Sequence, residues 1–274
     1  MTARRPSIGV FDSGFGGLTV LRELLSLVPN ADYLYFGDTA RLPYGSKSVE
    51  TVARYAMSAT HYLEEHGAQM LVIACNTATA LVLDKIIQNV SVPVVGVIDP
   101  GAERASRASS ARRVVVIGTE ATVSSHAYKR ALGERGIETR EKACPLLVPL
   151  VEEGWVDHPV TEVVAQIYLN DAFVDGFADA DVLVLGCTHY PLIKPLLHRV
   201  VPGNVSIVDS AESTAKVVHD LLRNSPLPAT TEPERRQLPR VQFFVTDSVE
   251  KFRRLGSLFL GREITEVQHV DMRE

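Results

Sequence analysis

The sequence predicts an α/β fold of two similar domains built on mostly parallel sheets. Three observations carry that expectation. Short apolar runs alternate with amphipathic helical patterns along nearly the whole chain, the signature of βαβ units. Two closely similar segments, Leu71-Val-Ile-Ala-Cys75 and Leu183-Val-Leu-Gly-Cys187, recur 112 residues apart. Beyond each, a further apolar run ends in aspartate, at Val97-Ile98-Asp99 and at Ile207-Val208-Asp209.

Taken in order, Ile8–Phe11 is the first strand, and the glycine-rich Asp12-Ser13-Gly14-Phe15-Gly16-Gly17 after it opens a helix. Tyr33–Phe36 is the second strand, followed by a helix over Val49–Glu65. Leu71–Ala74 runs into Cys75 and a helix over Ala78–Ile87, and Val94–Ile98 is the next strand. Val114–Ile117, Val182–Leu185, Val205–Val208 and Val241–Val245 complete the strands, with helices over Thr161–Phe173 and Ser213–Leu222. At the same offset as the cysteines, Thr79 and Leu81 fall on Pro191 and Ile193. Asp99 and Asp209 read as hinge points. The first domain is then 1–99 plus 210–274, and the second is 100–209. Ser225–Arg240, with Pro226, Pro228, Pro233 and Pro239, reads as an exposed connection without chemistry.

At 274 residues with 46% apolar content, the chain can fill one large or two modest cores. Its net charge of −5 argues against nucleic acid as a partner. No apolar run reaches the roughly 18–20 residues of a membrane span, and the N-terminus carries no signal-peptide pattern. Three cysteines, an odd number, fit free thiols in a cytoplasmic protein. The expected partner is a small molecule; oligomeric state is left open, a homodimer included.

Cys75 and Cys187 each end a strand and precede a helical pattern. Ligands of open α/β sheets bind at that mouth, and a helix N-terminus there favours a thiolate. An isolated buried cysteine is more often a small core hydrophobe. Two in repeated settings, flanked by Asn76-Thr77 and Thr188-His189, point instead to a shared substrate approached from both sides. Cys144, in Ala-Cys-Pro, reads as inert. Cys187 and His189 form a Cys-x-His, yet no CxxC accompanies them, so no metal is expected. The glycine-rich loop departs from the dinucleotide fingerprint, with Thr19 in place of the final glycine and Asp12 facing the phosphate position. A smaller ligand fits better, its ammonium on Asp12 and its carboxylate on Ser13. Asp38 reads equally as a turn cap and Tyr44 as a packing residue. Glu152 and Glu153 read as solvated acids, or one of them orients or protonates His189.

Phe11-Asp-Ser-Gly-Phe-Gly-Gly17, Phe36-Gly-Asp-Thr39, Pro43-Tyr-Gly45, Ala74-Cys-Asn-Thr77 and Gly186-Cys-Thr-His-Tyr-Pro191 occur together and in order. Along essentially its whole length the chain resembles the cofactor-independent aspartate/glutamate racemase family. The resemblance implies two α/β domains with the active site in the cleft between them, and no cofactor. It implies Cys75 and Cys187 as catalytic acid/bases, with Cys75 serving D-glutamate and Cys187 serving L-glutamate. Asp12, Glu152 and His189 would assist. Substrate contacts would come from Asp12, Ser13, Asp38, Tyr44, Gly45, Asn76, Thr77, Thr188 and His189. His189 favours glutamate over aspartate, whose racemases tend to carry Glu at that position. The family role is supply of D-glutamate for bacterial peptidoglycan, hence cell-wall biogenesis and cell shape. Two rival readings stand beside it: a Cys187–His189 hydrolase, which leaves Cys75 unexplained, and a two-lobed solute-binding module without turnover.

Overall fold

The computed structural model describes residues 5–224 and 238–272. Most of the proline-rich connection expected over Ser225–Arg240, residues 225–237, lies outside the described residues. The chain begins β1 (Ser7–Asp12), α1 (Leu18–Leu27), β2 (Asp32–Gly37), α2 (Val49–Glu65), β3 (Met70–Ile73), α3 (Asn76–Asn89), β4 (Val94–Gly96) and α4 (Ile98–Ala108). It continues β5 (Arg113–Gly118), α5 (Glu120–Ser124), α6 (Ala127–Gly133), β6 (Glu138–Ala143), α7 (Leu147–Glu152), α8 (Pro159–Ala172) and β7 (Val182–Gly186). Then come α9 (Lys194–Val200), β8 (Ser206–Asp209), α10 (Ser210–Arg223), β9 (Val241–Val245), α11 (Val249–Leu260) and β10 (Gln268–His269).

Among the described residues two sheets form, one of order β10-β9-β2-β1-β3-β4 and one of order β6-β5-β7-β8. Every described pairing is parallel, from Ser7 opposite Asp32 to Leu185 opposite Asp209. Helices cover both faces of such sheets, which is why β3 and β7 are apolar throughout and wholly buried. The run β2-β1-β3-β4 repeats the order β6-β5-β7-β8, so the sequence repeat has a topological counterpart: β3 and β7 hold the same place in their sheets. The chain passes from the first sheet to the second through β4 and α4, and returns through β8 and α10. No helix among the described residues is long and apolar enough to cross a membrane.

The helix predicted over Val49–Glu65 is α2, started by Ser48, whose hydroxyl accepts the Thr51 N–H at 3.3 Å. Two differences have physical causes. Asp99 does not end a strand: β4 stops at Gly96, and Asp99 lies in the first turn of α4, where a carboxylate complements the helix dipole. Asp209 does end its strand and caps α10, accepting the Ala211 N–H at 3.2 Å. The unexpected strand β6 reads Glu-Thr-Arg-Glu-Lys-Ala, an edge strand whose charges mask its pattern.

Gly9 shows how tightly the first sheet is covered. A Cβ there would lie 2.7 Å from Leu71 Cδ2, 3.0 Å from Ala68 Cβ and 3.2 Å from Leu63 Cβ. Gly9→Ala is therefore expected to cost about 1–3 kcal/mol through overpacking, read as a lower urea midpoint. An unchanged midpoint would contradict this packing.

Candidate active site

In both sheets the strand order reverses between two central strands, β1|β3 in one and β5|β7 in the other. Such switch points open a crevice at the carboxyl ends of the strands. Asp12 and Ser13 leave β1 beside Cys75, two residues past β3; Gly118 and Thr119 leave β5 beside Cys187, immediately past β7. The two crevices meet in one small cavity of about 40 Å³. Ser13, Tyr44, Gly45, Cys75, Asn76, Thr77, Glu152, Cys187, Thr188 and His189 line it.

Asp12 and Asp38 do not line it. Asp12 lies fully buried behind the wall, its Oδ2 accepting the Gly14 N–H at 2.9 Å and its Oδ1 the Thr188 hydroxyl at 3.4 Å. Asp38 accepts the Tyr44 hydroxyl at 2.5 Å and the Thr246 hydroxyl at 2.8 Å, and pairs with Arg41 at 3.4 Å. Its geometry holds Tyr44 in place rather than facing a ligand. Thr119 lines the cavity without a motif to single it out, although its place after β5 matches that of Ser13 after β1. Its hydroxyl lies 3.0 Å from that of Thr77, across the two sheets.

The first thiol sits at a true helix start. Cys75 caps α3, its Sγ accepting the Ala78 N–H at 3.4 Å and donating to Ser13 Oγ at 3.5 Å. Burial, reinforced by the Asp12 carboxylate, outweighs these contacts and pushes the thiol up to about 12. The second thiol lacks the α-helix its sequence suggests. Tyr190–Ile193 form a 3-10 turn, and α9 begins only at Lys194, with Pro195 confined to its first turn. What faces Cys187 Sγ is His189 Nδ1, at 3.8 Å. His189 Nε2 meets Glu152 Oε1 at 3.2 Å, and Glu152 Oε2 lies 3.7 Å from Lys251 Nζ. Glu152, not the exposed Glu153, reaches the imidazole.

Burial opposes charge on His189, but its hydrogen bonds with Cys187 and Glu152 prevail and raise it to about 10. Burial likewise opposes charge on Glu152, and there His189 and Lys251 prevail, holding the carboxylate below its ordinary value. Asp12 is raised, burial exceeding the help of His189, the Gly14 and Gly17 N–H groups and Thr188. Cys144 is buried away from the cavity and burial pushes it up to about 12; its Sγ donates to the Lys142 carbonyl at 3.6 Å, and its own carbonyl accepts the Tyr190 hydroxyl at 2.9 Å. Among the described residues no cluster of three or more His, Cys, Asp or Glu could hold a metal ion.

The arrangement is that of a two-lobed α/β cleft enzyme, with a thiol and an ionisable partner on each side of a small cavity. Residues 8–218 match the family model described as Asp/Glu/Hydantoin racemase. The chain is 61% identical to a glutamate racemase of Koribacter versatilis, over 99% of both chains. It is 45% identical to that of Geobacter metallireducens, over 97% of both. A crystal structure of the Francisella tularensis glutamate racemase in complex with D-glutamate superposes with a TM-score of 0.88 at 36% identity, over 98% of both chains. The chain belongs to the Asp/Glu/hydantoin racemase family and is an isomerase.

Glu152→Gln removes the carboxylate that helps hold His189 charged, so the His189 pKa is expected to fall from about 10. A raised histidine stabilises the fold fully below its unfolded value of 6.5, and that contribution disappears as pH rises through about 10. The variant should therefore be less stable than the parent at pH 6, the gap closing towards pH 10. NMR titration of His189 and unfolding at several pH values test this; an unmoved titration would contradict the pairing.

Proposed function

We propose that this protein interconverts L- and D-glutamate without a cofactor, by proton transfer between the substrate and two thiols, Cys75 and Cys187. The observation that carries the proposal is that both thiols line one cavity, each backed by its own ionisable group. The choice of glutamate follows the relatives and His189 after Cys187-Thr188.

With L-glutamate bound, the Cα–H bond breaks and its proton passes to the sulfur of Cys187, while the bonding pair moves onto the α-carboxylate. Cys75 gives its S–H proton to the opposite face of the carbon. Afterwards Cys187 is the thiol and Cys75 the thiolate, and the reverse sequence converts D-glutamate. The two thiols have different neighbours. Cys75, next to the Asp12 carboxylate, holds its proton to about 12, whereas Cys187 faces an imidazolium fixed by Glu152. Ser13, Tyr44, Gly45, Asn76, Thr77 and Thr188 hold the substrate, with Asp38 acting through Tyr44.

General acid/base catalysis supplies roughly 10²–10⁴-fold. The rest of the barrier reduction comes from binding that favours the carbanion-like state in a site closed to bulk water. A cavity of about 40 Å³ holds a few waters and not an amino acid, so the lobes part to admit substrate. In this reading the lobes are residues 1–99 with 210–274, and 100–209. The enzyme is cytoplasmic, and its D-glutamate feeds peptidoglycan synthesis.

Cys75→Ala and Cys187→Ala are each expected to lower racemisation of both enantiomers by at least about 10²-fold with unfolding little changed. Circular dichroism of glutamate, with no cofactor added, follows the conversion. Near-normal turnover in either variant would contradict the two-thiol scheme, and a trapped acyl-thioester on Cys187 would favour the hydrolase instead.

A further inference from the structure

One buried group next to the thiols has no partner: Asn76 Nδ2, the only buried side-chain nitrogen or oxygen among the described residues without a hydrogen bond. Buried polar groups are nearly always paired, so a lone donor in a cavity wall awaits an acceptor. Asn76 follows Cys75 and lines the cavity, and a substrate carboxylate is the acceptor that would reach it. The other end of the amide is not free. Tyr128, on α6 and fully buried, donates its hydroxyl to Asn76 Oδ1 at 2.7 Å.

Tyr128 touches three further places that matter. A Cβ on Gly186, the residue before Cys187, would lie 3.0 Å from Tyr128 Cε2, so the ring backs the strand end that carries the second thiol. The hydroxyl lies 3.4 Å from where a Cβ of Gly101 would stand, in α4, on the outward crossing between the sheets. Ser210, the first residue of α10 on the return crossing, hydrogen-bonds the same hydroxyl. One phenol therefore contacts both crossings, the neighbour of Cys75 and the neighbour of Cys187.

We infer that Tyr128 is a positioning residue for the racemisation site: its hydroxyl turns the Asn76 amide so that the NH₂ faces the substrate, and its ring fixes the strand end bearing Cys187. The role rests on the proposed glutamate racemisation and acts through Asn76 rather than on the substrate. With its oxygen committed to a donor, the amide can offer only N–H to the cavity, which suits an anion.

The test is a double-mutant cycle of Tyr128→Phe and Asn76→Ala, with KM and kcat measured for both glutamate enantiomers. Tyr128→Phe keeps the ring and loses the hydrogen bond. It is expected to raise KM about 5- to 10-fold with kcat within about 2-fold. In the Asn76→Ala background the same change should leave KM where it was. Tyr128→Leu, which also removes the ring, should lower kcat as well. Partial unfolding lowers apparent kcat but not KM, so a merely structural role would not give this split. If Tyr128→Phe yields no folded protein, Ser210→Ala replaces it, with KM up about 2- to 3-fold and again no effect without Asn76. An unchanged KM, or additive effects in the cycle, would overturn the role of Tyr128. Failure of the parent enzyme to convert glutamate would instead overturn the proposed function.

Discussion

The glycine-rich loop after β1 lies so close to the loop after β7 that a Cβ on Gly16 would stand 2.1 Å from Thr188 Oγ1 and 2.7 Å from His189 Nδ1. The rest of the site depends on that approach. It lets the Thr188 hydroxyl reach the Asp12 carboxylate and lets Thr19 Oγ1 donate to the Thr188 carbonyl at 3.2 Å. Gly17 is under a similar constraint, a Cβ there falling 2.5 Å from that of Asp12. Glycine is required here for room, since the loop packs backbone against the machinery of the other sheet. Both loops contribute to the cavity wall, through Ser13 and Gly14 on one side and Thr188 and His189 on the other.

Burial gives electrostatics its leverage. Among buried groups such as Asp12, Cys75, Cys187 and His189, charges act with less screening than in water. The two thiols then differ by their neighbours: a buried carboxylate behind Cys75, and a carboxylate-bound imidazolium beside Cys187. A like-topology pair of sheets thus delivers two chemically unlike sulfurs. A racemase working on both enantiomers needs one proton donor and one acceptor at any moment. Lys251 extends the second arm across the cleft to α11, on the first sheet's side, and lies over the Phe15 ring.

Much of this was legible in the residues. Apolar strands buried on both faces leave uninterrupted runs such as Met70–Ile73 and Val182–Gly186, and the repeated cysteine settings reveal that the two runs hold equivalent places. The remainder is hidden for identifiable reasons. A helix N-terminus at Cys187 is implied by pattern, yet Pro191 and Pro195 delay the helix to Lys194, so His189 becomes the thiol's partner. Asp99 resembles Asp209 in sequence, but only tertiary packing decides that β4 ends at Gly96. Thr19 spoils a dinucleotide fingerprint, and its positive task, bridging to Thr188, needs residues 169 positions apart to meet. Asp38 is marked by its motif, whereas its service to Tyr44 appears only in three dimensions. Tyr128 carries no motif at all; an unpaired amide nitrogen identifies it.

In the proposed reaction two sulfurs serve opposite faces of one carbon, and the position of solvent deuterium in early turnover reports on this. Protiated L-glutamate is incubated with the enzyme in deuterated water and stopped at a few per cent conversion. Deuterium is expected at Cα of nearly all the D-glutamate formed, donated by the Cys75 thiol, while the remaining L-glutamate stays protiated. Product that retains the original hydrogen, as a single shuttling base would leave it, would contradict the account.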